Sequence, residues 1–186
     1  LKLGTNFDTS NVLGMSSMFR NCGYKSMTSL DLSSGTDITN TTQFNTRNVT
    51  DMEAMFEGCG YTAMTSLKLG NNFITSNVTN MKAMFYKFGY IALTALDLGS
   101  NFDTSNVNDM SYMFGLCGLT AMTTVNLGNK FDTSKVTNME AMFNAFGKLS
   151  MTSLDLGDKF YTTSANNMYA MFYRCGYEGM TSLDLG

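Results

Sequence analysis

The chain contains no histidine, no tryptophan and no proline. Without histidine there is no Ser-His-Asp or Cys-His catalysis, and no zinc site that depends on imidazole. Charge is sparse and mixed: 12 basic and 15 acidic residues among 186 give a formal net charge of −3. The charges are scattered, and no basic stripe exists to neutralise phosphates, which argues against nucleic-acid binding. Apolar runs are far too short to cross a bilayer, and no signal-peptide pattern opens the chain. Membrane insertion is therefore not expected, and neither is an enzyme or a bound cofactor.

What the sequence does contain is self-similarity. Phe56, Phe85, Phe114, Phe143 and Phe172 are each 29 residues apart, and Phe19 precedes the first of them by 37. The element led by Leu1, Leu30, Leu67, Leu96, Val125, Leu154 and Leu183 shows the same spacing. The chain thus reads as one domain, 1–186, of six 29-residue units, with an eight-residue insertion within 33–43. It opens "LKLG" and closes "LDLG", the same point of the motif, as expected of a piece of a longer repeat array.

Counting from the first Leu of each unit, all 17 methionines fall on positions 15, 18 and 27, and all 14 phenylalanines on positions 7, 19 and 22. Position 23 is glycine in every unit. Large apolar residues held to fixed slots imply a core built by stacking units that cannot bury their apolar faces alone. The expected buried set is positions 1, 3, 7, 12, 15, 18, 19, 22 and 27, with position 2 facing solvent.

"MTSLDLG" (151–157) places Leu154 and Leu156 on one face of a strand. In "NVTNMEAMFNAFG", Val136, Met139, Met142, Phe143 and Phe146 step by three, three, one and three, a helical stripe. Thr133 and Ser134 are candidate N-caps and Gly147 a candidate C′ residue. The pattern predicts a short helix or 3₁₀ turn over "EAMFNAF". The expected fold class is an α/β repeat: a leucine-rich-repeat-like solenoid with one short strand and one short helix or 3₁₀ turn per unit.

The spacing of Met151, Leu154 and Leu156 resembles the leucine-rich repeat core. The wider phrase "FDTSKVTNMEAMFNAFGKLSMTSLDLG" resembles the BspA-like surface-protein repeats (the DUF285 type) of bacteria, along essentially the whole chain. That resemblance implies an extracellular or cell-surface protein with adhesin-like binding to a protein or glycan on a host or neighbouring cell. The competing reading is a structural spacer or self-assembling array, with end-to-end self-association.

Several candidate sites remain to be weighed. Cys22, Cys59, Cys117 and Cys175 share one slot, which holds Phe88 and Phe146 in two other units. A metal ligand or nucleophile does not exchange for phenylalanine, whereas a packed apolar slot accepts either. Core packing is the expected role, with Cys22 and Cys59 the pair in adjacent units that a disulfide would join. "GCGYTA" (58–63) matches a dinucleotide fingerprint but follows no strand. Asp155 and Asp184 stack as like charges, open to a weak cation. The threonine rows at positions 9 and 28 read as capping and strand packing rather than an ice-binding plane. Asn40, Asn48 and Asn77 begin glycosylation sequons. The candidate partner contacts are Tyr24, Tyr61, Tyr90 and Tyr177, just after the glycine turn, with Thr36, Asp37 and Thr39 of the insertion.

Overall fold

The computed structural model of the chain describes residues 7–33 and 44–186. Among these, six short strands are β1 (Ser29–Asp31), β2 (Ser66–Lys68), β3 (Ala95–Asp97), β4 (Thr124–Asn126), β5 (Ser153–Asp155) and β6 (Ser182–Asp184). They pair in parallel as β1-β2, β3-β4 and β5-β6, with like positions opposed: Leu30 faces Leu67, Leu96 faces Val125, and Leu154 faces Leu183. In β1 to β5 the middle residue points to the core and its neighbours point outward, so Asp97 and Asn126 face solvent as expected.

A second column runs parallel to the strands. Single-residue bridges link Gly14, Asp51, Asn80, Asp109, Asn138 and Asn167 in an unbroken series. Each of the last five turns its side chain back on its own backbone, as where Asp109 Oδ1 accepts from the Ser111 amide at 2.8 Å. Asparagine and aspartate favour this local bond, which starts the turn that follows.

That turn is where the expected α/β repeat fails. The described residues contain no helix, so strand plus helix or 3₁₀ turn is replaced by strand plus a run of tight turns. Residues 139–146 show the reason. Ala141 and Ala145 have φ of 50°, a left-handed conformation that ends any right-handed helix. The amides of Met142, Asn144 and Phe146 close back on the carbonyls three residues earlier. The alternate amides leave the unit: Met139, Ala141, Phe143 and Ala145 donate to Asn167, Tyr169, Met171 and Tyr173 of the next repeat at 2.7–2.9 Å.

Each left-handed non-glycine residue costs about 1–2 kcal/mol. Four bonds to the next repeat return about 0.5–1.5 kcal/mol each. Each buried Met or Phe of the same segment returns about 1.5–3 kcal/mol more. Packing therefore outweighs the strain.

The expected caps are corrected too. Thr133 caps no helix: its buried hydroxyl donates to the Tyr161 carbonyl at 2.7 Å and accepts from the Tyr161 amide at 2.6 Å. Thr9, Thr46, Thr75 and Thr104 clasp the next repeat in the same way. Gly147 is left-handed (φ 51°), and a Cβ there would lie 2.7 Å from Met151 Cβ, which accounts for glycine at position 23.

The core matches the predicted slots in the inner repeats, whereas Phe7 and Met18 of the first repeat are exposed. Phe19, Phe56, Phe85, Phe114, Phe143 and Phe172 form one continuous stack with ring centroids 5.3–5.7 Å apart. Met110, Met113 and Phe114 are fully buried, and Leu127 is nearly so. Met168 of the sixth repeat is exposed, as are Leu183 and Leu185, which begin a seventh.

Candidate interaction surface

The turn edge carries the tyrosines. At position 24 the left-handed glycine at position 23 swings the chain to the rim, and the following amide reaches back to the previous repeat. The Thr62 amide donates to the Tyr24 carbonyl at 3.0 Å, and the Ile91 amide to the Tyr61 carbonyl at 3.1 Å. These bonds hold consecutive tyrosines in register. Tyr24 and Tyr61 stack at 4.6 Å, and Tyr61 and Tyr90 at 4.5 Å, each pair within 10° of parallel. Tyr24 is exposed, and the other two are half-buried. Burial, with the flanking Tyr90 and Tyr24, pushes the Tyr61 phenol above its ordinary range.

The structure thus brings three of the four predicted tyrosines together. Tyr177 stands apart, because Leu119 and Lys148 fill the intervening slots. It is exposed and sits beneath two cations: the Lys148 ammonium lies 5.7 Å from its ring centre, and the Arg174 guanidinium 5.9 Å. Thr36, Asp37 and Thr39 lie outside the described residues, as does Asn40.

A second aromatic cluster was not anticipated. Tyr112 sits at a left-handed position (φ 59°) that is Ser or Ala in the other units. Its hydroxyl donates to Glu140 Oε1 at 2.5 Å, and its ring meets Tyr86 edge-on at 6.0 Å. The hydrogen bond to Glu140, then burial and that carboxylate's charge, pushes the Tyr112 phenol up. Tyr86 occupies space that Gly115 leaves open, since a Cβ there would lie 3.0 Å from Tyr86 Cδ2. The nearby Ser111 hydroxyl is buried without a hydrogen-bond partner. The available signal was Tyr112 alone, a large ring in a slot that is otherwise Ser or Ala.

The cysteines belong to the core. Cys59 and Cys117 are fully buried, Cys22 and Cys175 half-buried, and all four are free. Burial pushes the thiols of Cys59 and Cys175 up to about 12 and that of Cys117 higher, so the reactive thiolate is suppressed. Asp155 and Asp184 do face each other across β5 and β6. Among the described residues, no three His, Cys, Asp or Glu side chains gather into a metal-binding group. Among the described residues the strand face carries one weak pair, Lys68 Nζ to Asp31 Oδ2 at 3.8 Å, both well exposed. The side-chain amides of the sequon residues Asn48 and Asn77 donate to the carbonyls of Ser10 and Arg47 at 2.7 and 2.8 Å. No helix among the described residues is long and apolar enough to cross a membrane.

No match was found among curated proteins or among solved structures. A family model described as "Mycoplasma protein of unknown function, DUF285" matches residues 3–89, 23–118 and 93–178. Three overlapping matches along a stack of like repeats span nearly all of it, and the chain belongs to the DUF285 family.

Proposed function

We propose that the chain is a non-enzymatic interaction module of a bacterial cell-surface or secreted protein of the BspA-like kind. Its turn edge meets a protein or glycan on a host or neighbouring cell. The observation that carries this reading is the ordered Tyr24–Tyr61–Tyr90 row on the rim. Tyrosine is among the residues on which binding energy concentrates. Side chains already fixed by stacking lose less entropy when a partner docks. The rings cover one another's faces, so their edges and hydroxyls are what a partner meets, which suits a partner rich in hydrogen-bonding groups. The strand face offers small side chains and the exposed Lys68–Asp31 pair, a poorer anchor.

The test is an array of glycans and matrix proteins probed with wild type and two variants. Changing Tyr24, Tyr61 and Tyr90 together to Ser is expected to weaken binding more than changing Asp31, Lys68 and Asp97 to Ala, with both variants folded by circular dichroism. Retained binding by the tyrosine variant alongside loss in the charge variant refutes the rim as the site.

A second reading is a structural spacer or self-assembling array. Its support is the constant register of the stack, in which like positions of neighbouring repeats oppose one another. Sedimentation that reveals a concentration-dependent polymer, with no array ligand found, selects it.

A further inference from the structure

We propose that the Tyr24–Tyr61–Tyr90 row is a site of oxidative modification, at which a peroxide-derived one-electron oxidant joins neighbouring tyrosines into a dityrosine cross-link between adjacent repeats. This inference is independent of the partner reading, since it needs only the row itself.

The chemistry follows from the geometry. Each of two phenols gives up one electron and one proton. The resulting phenoxyl radicals form a carbon–carbon bond between ring carbons ortho to oxygen, and the two displaced ring hydrogens return to the oxygens. One hydrogen peroxide takes the two electrons and two protons, its O–O bond breaks, and two waters leave. Radical coupling is fast only between rings already side by side. Tyr61 has such a neighbour on each side, 4.6 and 4.5 Å away and nearly parallel. The three rings come from one slot of consecutive repeats, so their hydroxyl ends and ortho carbons point the same way. A covalent bond of about 1.5 Å requires the rings to tilt together. The rim position permits this, because Tyr24 is exposed, Tyr61 and Tyr90 are half-buried, and none lies in the core.

The rest of the molecule does not compete on the same terms. Tyr86 and Tyr112 meet edge-on at 6.0 Å, and the described residues hold no other parallel pair of tyrosine rings. The Cys59 and Cys117 thiols are sealed in the core. The exposed thioethers of Met18 and Met168 take up oxygen instead, which adds mass and is read separately. A cross-link between repeats would staple two turns of the stack without disturbing the core.

The experiment treats dilute chain with a peroxidase and hydrogen peroxide, followed by intact mass, blue dityrosine fluorescence and peptide mapping. The expected product is a monomer lighter by two hydrogens, with Tyr61 joined to Tyr24 or to Tyr90. Tyr61→Phe keeps a ring in the row but removes the central phenol, leaving Tyr24 and Tyr90 two repeats apart. It is expected to lose nearly all cross-linked monomer while keeping the wild-type circular dichroism. Four outcomes overturn the proposal: no cross-link, covalent dimers only, cross-links mapping to Tyr169, Tyr173 or Tyr177, or an undiminished yield in Tyr61→Phe.

Discussion

The strand column and the turn column of this stack run side by side, and they differ in continuity. The strands split into three separate pairs, whereas the bridges from Gly14 to Asn167 are unbroken. The phenylalanine stack is likewise continuous from Phe19 to Phe172, and it lies behind the turns. Cohesion between repeats therefore resides more in the turn column than in the sheet. The strained backbone of the turns is tolerated because the tightest packing sits directly beneath it.

The largest expected contrast is in side-chain truncation. Phe114→Ala removes a fully buried ring stacked on both neighbours and is expected to cost about 3–5 kcal/mol. Val125→Ala, at the half-buried centre of β4, is expected to cost about 1 kcal/mol. Urea midpoints for the two variants decide the matter, and equal losses would return the sheet to equal standing.

Two glycines sharpen the comparison further. Gly147 and Gly99 both have positive φ, but an added Cβ strikes Met151 at the first and meets nothing within 4 Å at the second, just after β3. Gly99→Ala is expected to cost about 1–2 kcal/mol from backbone strain alone. Gly147→Ala adds overpacking and is expected to cost about 2–4 kcal/mol. Thermal melts of the pair give the ranking.

Threonine hydroxyls provide a smaller version of the contrast. Thr104 Oγ1 is buried and serves both the carbonyl and the amide of Asp132, at 2.8 and 2.7 Å. Thr104→Val strands both groups and is expected to cost about 1–3 kcal/mol. Thr123 Oγ1 is exposed and donates to the Thr94 carbonyl at 3.1 Å, where water can replace it. Thr123→Val is expected to change stability by less than about 0.5 kcal/mol.

Much of this core was legible in the sequence, because Met and Phe confined to slots have no other economical explanation. The strands were legible as well, from the two-residue spacing of Leu154 and Leu156. The turns were misread for a specific reason. Val136, Met139, Met142, Phe143 and Phe146 fit a helical stripe, yet turns closing every third residue present side chains to the core at similar intervals. Ala141 and Ala145 strengthened the error, since alanine is the best helix former. The contrary signal was position 21, where Asn21 and Gly58, both tolerant of left-handed backbone, share a slot with Ala145. At the rim, Tyr24, Tyr61 and Tyr90 could be found because they recur in one slot. Tyr112 stands out only as a large ring in a slot of Ser and Ala, and its pairing with Tyr86 was not visible, because the two occupy different slots and meet over Gly115.

The smallest expected effect is also the most discriminating, because its sign differs between the columns. Ala83 lies in the turn column with φ of 54°, and Ala95 is the exposed first residue of β3. Glycine at either site loosens the unfolded chain, at a cost of about 0.5–1 kcal/mol. At Ala83 that cost is set against about 1–2 kcal/mol of left-handed strain relieved. Ala83→Gly is therefore expected to leave stability unchanged or raise it by up to about 1 kcal/mol, less whatever contact the half-buried methyl makes. Ala95→Gly relieves nothing and is expected to lower stability by about 0.5–1 kcal/mol. Side-by-side urea titrations read the difference. Equal losses at the two sites would mean that glycine relieves no strain at Ala83, and would overturn the contrast between the two columns.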